Sequence, residues 1–351
     1  MANEQILASQ QTAKKHYASQ KTRRIVADVI VYIILTVMAI VWVLPILWIV
    51  LQSFSGEIGY DSMGRWVPQI WDWEVQEGKA IWFDGNVRVF TYTLGPFGNY
   101  RMLFTNQVWS PEKGLEASVY NFFGYAKDGQ FYPGGFINTL IIAIFGAIIS
   151  TLMTLMTSYA FSRLRFKGRT FMMKLIMILG MFPGFLGLVV LYALFYKVFQ
   201  WDRSIWLLIL IYSGGAGMGY YISKGFFDTI SKQIDEAAMI DGATKFQIFY
   251  KITLPLSKPI ITYTVLTSFM SPWAEYITAN YMLGGQNNDK TNWTLPLILY
   301  KMLNAGELSD RPRYWAQFCA GAVIIAIPTS ILFMSMQKNY VGGVTGGAVK
   351  G

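Results

Sequence analysis

Six apolar blocks alternate with polar connections along this chain, near residues 25–52, 136–160, 171–198, 205–226, 260–284 and 315–337. Each is long enough to cross a hydrocarbon core about 30 Å thick, which takes roughly 20 residues of helix. The pattern predicts an all-α integral membrane protein with six spans. The fourth block is interrupted by Ser213-Gly214-Gly215-Ala216-Gly217-Met218-Gly219. Such a run is tolerated at membrane depth only where neighbouring helices or a cavity cover the backbone. Between the first two blocks, residues 53–135 form a long insert with Trp66, Trp71, Trp73, Trp82 and Trp109 and no decisive strand or helix period. It is large enough for a small folded cap, and its tryptophans suit a membrane edge and a partner surface equally. A composition shift at Pro133-Gly134-Gly135 closes it. At the two ends lie a polar arm, residues 1–24, and a glycine-rich tail, residues 338–351, which on composition alone is a flexible end.

Composition strengthens the membrane reading: 54% of residues are hydrophobic and only 14% are charged, too few for a soluble globular chain of this size. The net charge of +9 reports topology. Lys14, Lys15, Lys21, Arg23 and Arg24 precede the first span. Arg163, Arg165, Lys167 and Arg169 follow the second, and Lys224, Lys232, Lys245, Lys251 and Lys258 lie between the fourth and fifth. By the positive-inside rule these segments and both termini are cytoplasmic, and the insert 53–135, with more acids than bases, faces outward. The excess of positive charge is therefore no nucleic-acid footprint. The first apolar run is too long, and its polar leader too extended, for a cleavable signal peptide, so it reads as a retained anchor. Cys319 is the only cysteine and His16 the only histidine. No disulfide framework, cysteine or histidine metal site or histidine-based triad can be built from them. No G-x-x-x-x-G-K-[ST] pattern occurs, so the chain has no P-loop for ATP.

The connection Ile234–Pro259, IDEAAMIDGATKFQIFYKITLPLSKP, carries most information. Ser231 can cap a helix running to about Asp241, with Asp235 and Glu236 near its positive end. Ala237 and Ala238 keep one side slim, so that another surface can approach. Gly242 stands where a helix ends in the left-handed region. Thr244 and Gln247 make a capping box for a second helix, which Pro255 ends. Two short helices bent at Gly242 make a handle that another protein can push. An ordinary amphipathic connector would share the helix–Gly–helix pattern, but not the whole spacing of EAA, three residues, Gly242, nine residues and Ile252-Thr253-Leu254-Pro255.

With that spacing, the chain resembles the second permease subunit of carbohydrate ABC importers of the maltose/maltodextrin type. The likeness runs from Gly98-Asn99-Tyr100 to the last residue. It takes in Asn138-Thr139, Tyr159-Ala160-Phe161-Ser162-Arg163, MFPGFLGLVVLYALF in span three, the EAA loop, Glu275 and the terminal VGGVTGGAVKG; the segment 53–97 is less similar. The resemblance implies a six-helix type I permease with an extracytoplasmic insert after the first helix, in a bacterial inner membrane. It implies a heterodimer with a homologous permease, two copies of a cytoplasmic ATP-binding subunit that use ATP and Mg, and an extracytoplasmic sugar-binding protein. It makes the chain a non-catalytic transport subunit with no cofactor of its own. Glu236, Ala237, Ala238, Asp241 and Gly242 would dock on the ATPase, within a coupling loop at 231–259. Gly346, Gly347 and Lys350 of the tail would reach the ATPase as well. The outward loop 284–314 would project into the binding protein, with Asn287, Asn288, Asn292 and Trp293 offering amides and an indole face to sugar.

Glu275, three residues after Pro272, is the one carboxylate deep in a predicted span, and burying it there is costly unless it meets protein or water. It reads either as a pathway residue, with Tyr276 and Asn280, or as a satisfied interhelical hydrogen bond. The second is favoured because an uncharged sugar needs no counter-charge. Two other readings compete with a permease subunit. An ion-coupled secondary transporter acting alone predicts several intramembrane titratable groups and internal repeats, where this chain has one acid and no evident repeat. A membrane enzyme needs a nucleophile–base pair or a metal cluster, and neither is present in the sequence.

Overall fold

The computed structural model describes residues 2–55, 73–76, 79–82, 89–90, 97–110, 114–181, 184–214, 217–284, 290–304 and 314–348. Three helices are long and continuous: α1 (Ala2–Gln52), α3 (Gly135–Arg163) and α13 (Trp315–Ala348). Within the described residues only Arg23–Gln52, Gly135–Arg163 and Trp315–Lys338 are long and apolar enough to cross a membrane unbroken. The other three expected spans are discontinuous, the fourth at the glycine run that interrupts it in the sequence. Span three is α4 (Arg169–Gly180) and α5 (Gly184–Tyr192), the latter widened into a π segment, Ala193–Val198. Span four is α6 (Ile205–Gly214) and α7 (Gly217–Thr229), bent by 44° at its glycine run. Span five is α10 (Lys258–Ala274) and α11 (Ile277–Leu283). The last break falls at Glu275, which is extended (φ −126°, ψ 127°); Pro272, inside the last turn, has no N–H for the carbonyl of Ser268 and loosens the ladder one turn earlier.

Between the spans lie α2 (Gly98–Phe104) in the insert, α8 (Lys232–Ile240) and α9 (Lys245–Ile248) in the loop after span four, and α12 (Leu295–Leu303) after span five. The polar arm is helical and runs from Ala2 straight into the first span. The insert is a set of small antiparallel units: β1 (Trp73–Gln76), β2 (Lys79–Trp82) and β3 (Val89–Phe90) form one sheet. The hairpins β4 (Gln107–Ser110) with β5 (Gly114–Ala117), and β6 (Gly124–Lys127) with β7 (Gln130–Pro133), form the other two.

α3 is the central rod, in contact with α6, α7 and α10. Its buried face is built of Ala143, Gly146, Ala147, Ser150, Thr151 and Thr154. Small residues let neighbouring backbones come close, where van der Waals packing holds helices together in lipid. The outward end is tied by polar side chains. Asn138 Nδ2 donates to the carbonyls of Thr291 and Trp293 (2.7 and 3.0 Å), and Thr139 Oγ1 accepts from Leu295 N (2.8 Å). Asn99 Nδ2 likewise donates to the carbonyls of Ser53 and Ser55, fixing the end of α1 on α2. At Gly135 a Cβ would meet Ile298 Cδ1 at 2.4 Å and the Leu295 backbone at 3.1 Å, so a larger residue there would push on α12.

Candidate functional site: the loop Ser231–Pro259 and the cavity beneath it

The loop after span four is built by its own local chemistry. Ser231 Oγ accepts from Gln233 N and opens α8. At the other end, Gly242 N donates to Met239 O (3.1 Å) and Ala243 N to Ala238 O (2.9 Å), the paired closure that requires a left-handed residue between them. Gly242 supplies it at φ +82°. Thr244 and Gln247 then cap each other, with Thr244 N to Gln247 Oε1 at 2.8 Å and Gln247 N to Thr244 Oγ1 at 3.3 Å. Pro255 does not end the second helix, contrary to expectation. The backbone widens into a π segment, Phe249–Thr253, in which Leu254 N reaches back to Phe249 O, and a helical turn passes through Pro255 before stopping at Ser257. Widening removes the carbonyl that a proline ring would strike in a regular turn.

The end of α3 braces this loop. Arg163 Nε lies 3.2 Å from Asp235 Oδ2, with the two side chains only 5% and 10% exposed. Its Nη2 also donates to the carbonyls of Phe227 and Ile230, at the end of α7 (3.0 and 2.7 Å). Ser162 Oγ donates to Asp228 Oδ1 (2.6 Å), and Tyr159 donates to Lys245 O while its ring meets Phe249 at 4.7 Å. The segment Tyr159–Arg163 therefore grips α7, α8 and α9 together. Asp235, read from sequence as a charge near the helix start, is committed to Arg163. Neither pairing has a local sequence signal; the excess of arginine at the end of span two was the only hint.

The outer side of the loop is free of such ties. Glu236, Ala237, Asp241 and Gly242 are exposed, whereas Ala238 turns inward and is buried, so only one of the two alanines lies on the open face. Sequence reasoning missed the apolar residues beside them: Ile240 is 87% exposed and Phe246 66%, with Ile234, Met239 and Tyr250 also bare. Large exposed apolar side chains grouped in this way mark a contact surface for protein or membrane.

In the membrane-depth region a cavity of about 930 Å³ lies among α3, α5, α6 and α10, with Glu275 in its wall. Glu275 Oε2 accepts from Tyr212 of α6 (2.8 Å), and Oε1 accepts from Thr278 N (2.6 Å), which caps α11. The carboxylate thus makes the interhelical bond favoured from sequence and also lines a cavity. Tyr276 and Asn280 are not beside it in the wall: Tyr276 stacks on Tyr300 (4.1 Å between centroids), and Asn280 lies within α11. On the outward face, Trp293 is packed into the core at 8% exposure instead of being presented, and Asn292 Nδ2 donates to Arg203 O. Lys290 stands over Tyr120 and Trp293 (5.5 and 5.8 Å), and burial lowers the pKa of its ammonium. Asn287, Asn288 and Lys350 lie outside the described residues, while Gly346 and Gly347 fall on the last helix, which continues to Ala348. Among the described residues no cluster of metal-ligating side chains occurs.

A multi-pass bundle with broken helices around a cavity, and with a loop braced on its central helix, defines a transport permease. The chain belongs to the family of binding-protein-dependent transport system inner membrane components, whose sequence pattern matches residues 155–345. It is 30% identical over 338 residues to the galactooligosaccharides transport system permease protein GanQ of Bacillus subtilis, covering 95% of this chain and 99% of that one. The maltodextrin transport system permease protein MdxG of the same organism is 34% identical over 64% of this chain and 78% of its own. The maltose/maltodextrin transport system permease protein MalG of Vibrio vulnificus is 37% identical over 61% of this chain and 71% of its own. In three dimensions, one subunit of a bacterial ABC transporter involved in the import of the acidic polysaccharide alginate superposes with a TM-score of 0.58 at 20% identity. The match covers 89% of this chain and 96% of that one, and is a likeness of fold. The chain is thus an ABC importer permease by family and by fold.

Proposed function

We propose that this permease imports a neutral oligosaccharide, as one half of a heterodimer with a homologous permease. Two copies of an ATP-binding subunit dock on the loop 231–259, and a sugar-binding protein delivers cargo on the opposite side of the membrane. Both termini are cytoplasmic in this reading, and the tail 338–351 lies near the same ATPases. Closure of the ATPase pair on ATP moves the loop, and the loop moves the bundle from inward- to outward-facing. The substrate class is suggested by relatives named for galactooligosaccharides and maltodextrins.

One observation carries the coupling assignment. An exposed acidic and apolar face (Glu236, Ile240, Phe246) sits on a loop whose inner face is bonded through Arg163 and Tyr159 to the central helix. Force applied to that face is delivered to α3. The test is reconstitution of the chain with its partner permease, ATPase and binding protein, followed by saccharide-stimulated ATP hydrolysis and uptake. Glu236→Ala removes a charged partner worth about 1.5–3 kcal/mol, so coupling falls by about tenfold or more. Gly242→Pro cannot adopt φ +82° and loses the N–H that closes α8, so uptake is abolished. Wild-type uptake and stimulation in both variants would sink the coupling assignment, and uptake by this chain alone without ATP would favour an ion-coupled secondary transporter.

A further inference from the structure

The polar side chains of α10 are not scattered. Thr264, Thr267, Ser268 and Ser271 recur at three- and four-residue steps on one strip of the helix, and the strip ends on Glu275. All five line the cavity of about 930 Å³. Across it, Ser150 Oγ of α3 meets Ser268 Oγ at 3.1 Å, and the Tyr212 hydroxyl of α6 holds Glu275. Thr154, in the same wall, is fully buried and its hydroxyl has no hydrogen-bond partner. A buried hydroxyl left unpaired is costly, so a polar partner at this wall would be favourable. Apart from Tyr263 and Thr278, the rest of the wall is apolar, including Leu188, Leu191, Phe195 and Ile277.

That division of chemistry matches one class of ligand. A pyranose presents apolar C–H faces and a rim of hydroxyl groups that both donate and accept. Serine and threonine hydroxyls also do both; those of Thr264 and Thr267 donate to the carbonyls of Ile260 and Tyr263 and so offer a ligand their lone pairs, whereas the Glu275 carboxylate accepts only. The volume lies within the range of about 300–1,000 Å³ found for small-molecule sites. No lysine, arginine or histidine lines the cavity among the described residues, so it offers no counter-charge to an acidic sugar, and Glu275 repels one.

We propose that this cavity is a saccharide subsite of this chain's own, taking a short neutral segment of the transported oligosaccharide on the hydroxyl strip of α10 and on Glu275. The proposal rests on the oligosaccharide reading given above. It assigns sugar contact to this subunit, through residues that also hold its broken helices together.

The test uses Thr267→Cys and, separately, Ser271→Cys in the reconstituted complex, with the other subunits made cysteine-free. The native Cys319 is fully buried, so it stays in place. Labelling by a small positively charged methanethiosulfonate is timed with binding protein and ATP present. The arms contain maltodextrin, galactooligosaccharide, an anionic uronate oligosaccharide or no sugar, and ATP hydrolysis is followed in each. A neutral saccharide that stimulates hydrolysis is expected to slow labelling several-fold at both positions, and the uronate is not. Stimulated hydrolysis with unchanged labelling overturns the subsite and leaves the oligosaccharide reading standing. Absence of labelling in every arm, in a complex that still hydrolyses ATP, means that the partner permease fills the cavity and also overturns it. Failure of every neutral saccharide to stimulate hydrolysis overturns the oligosaccharide reading itself.

Discussion

Arg163 and Asp235 are both buried, so neither can be removed alone without leaving a charge in surroundings of low dielectric constant. Arg163→Ala is expected to destabilise the purified complex by about 3–5 kcal/mol, read as a fall in its unfolding temperature. Arg163→Met combined with Asp235→Leu should recover part of that loss, because an apolar pair of similar size removes both desolvation costs but leaves the carbonyls of Phe227 and Ile230 without their donor. A wild-type unfolding temperature for Arg163→Ala would show that the pair is solvated in the assembled transporter. Gly242 isolates a different effect. A Cβ there meets nothing within 4 Å, so Gly242→Ala carries only the left-handed backbone penalty of about 1–2 kcal/mol. Its loop should open more readily by hydrogen exchange while the bundle stays intact; protection equal to wild type would contradict the strained φ. Gly242 was legible in the sequence because cap chemistry is local and glycine has few other reasons to stand there. The Arg163–Asp235 pair was not, because the two residues are far apart in the chain and each had an adequate local explanation as a topology signal or a helix-end charge.

Elements divide in the same way. Both helix starts in the loop and the stop at Gly242 followed from local cap chemistry, and α3 and α13 followed from unbroken apolar runs. The broken helices did not follow, because hydropathy counts residues and ignores how the backbone is satisfied between them. Pro272 and Pro255 illustrate the ambiguity: the first precedes a true break by two residues, and the second is absorbed by a π segment. Pro255→Ala restores an N–H where the widened turn now sits. If the segment relaxes to regular α-helix, losing one extra residue turns α8 and α9 by about 100° relative to α10. Transport per ATP hydrolysed should then fall although helix propensity has improved; an unchanged ratio would mean that the π segment is only an accommodation of the proline. Glu275 also acts at this scale, joining α6 to the start of α11. Glu275→Gln keeps an oxygen that can accept from Thr278 N, while Glu275→Ala loses both bonds. The alanine variant is expected to unfold at the lower temperature, with the glutamine variant between it and wild type. Equal losses would show that the Tyr212 bond carries the whole effect.

Over the whole molecule, the proposed orientation of the bundle rests on charge. Lys127 of the β6–β7 hairpin and Lys167 after α3 are both exposed, and the positive-inside argument puts them on opposite sides of the membrane. In intact cells a membrane-impermeant maleimide should label Lys127→Cys at once and Lys167→Cys only after permeabilisation. The reverse pattern would invert the topology and remove the loop 231–259 from the ATPase side. The three unbroken spans also bear on how the protein enters its membrane. Between Ile25 and Leu47 the apolar side chains of α1 are almost all bare of protein, and its described ring contact with the bundle is Trp48 against Trp315 at 5.7 Å. Such a helix satisfies its own backbone except in the one turn before Pro45; the same holds for α13 except before Pro328, and for the proline-free ladder of α3. The interrupted spans expose backbone groups that lipid cannot satisfy. Biogenesis is therefore expected in two stages: three autonomous helices partition first, and the half-helices that surround the cavity follow once those helices, or the partner permease, are there to receive them.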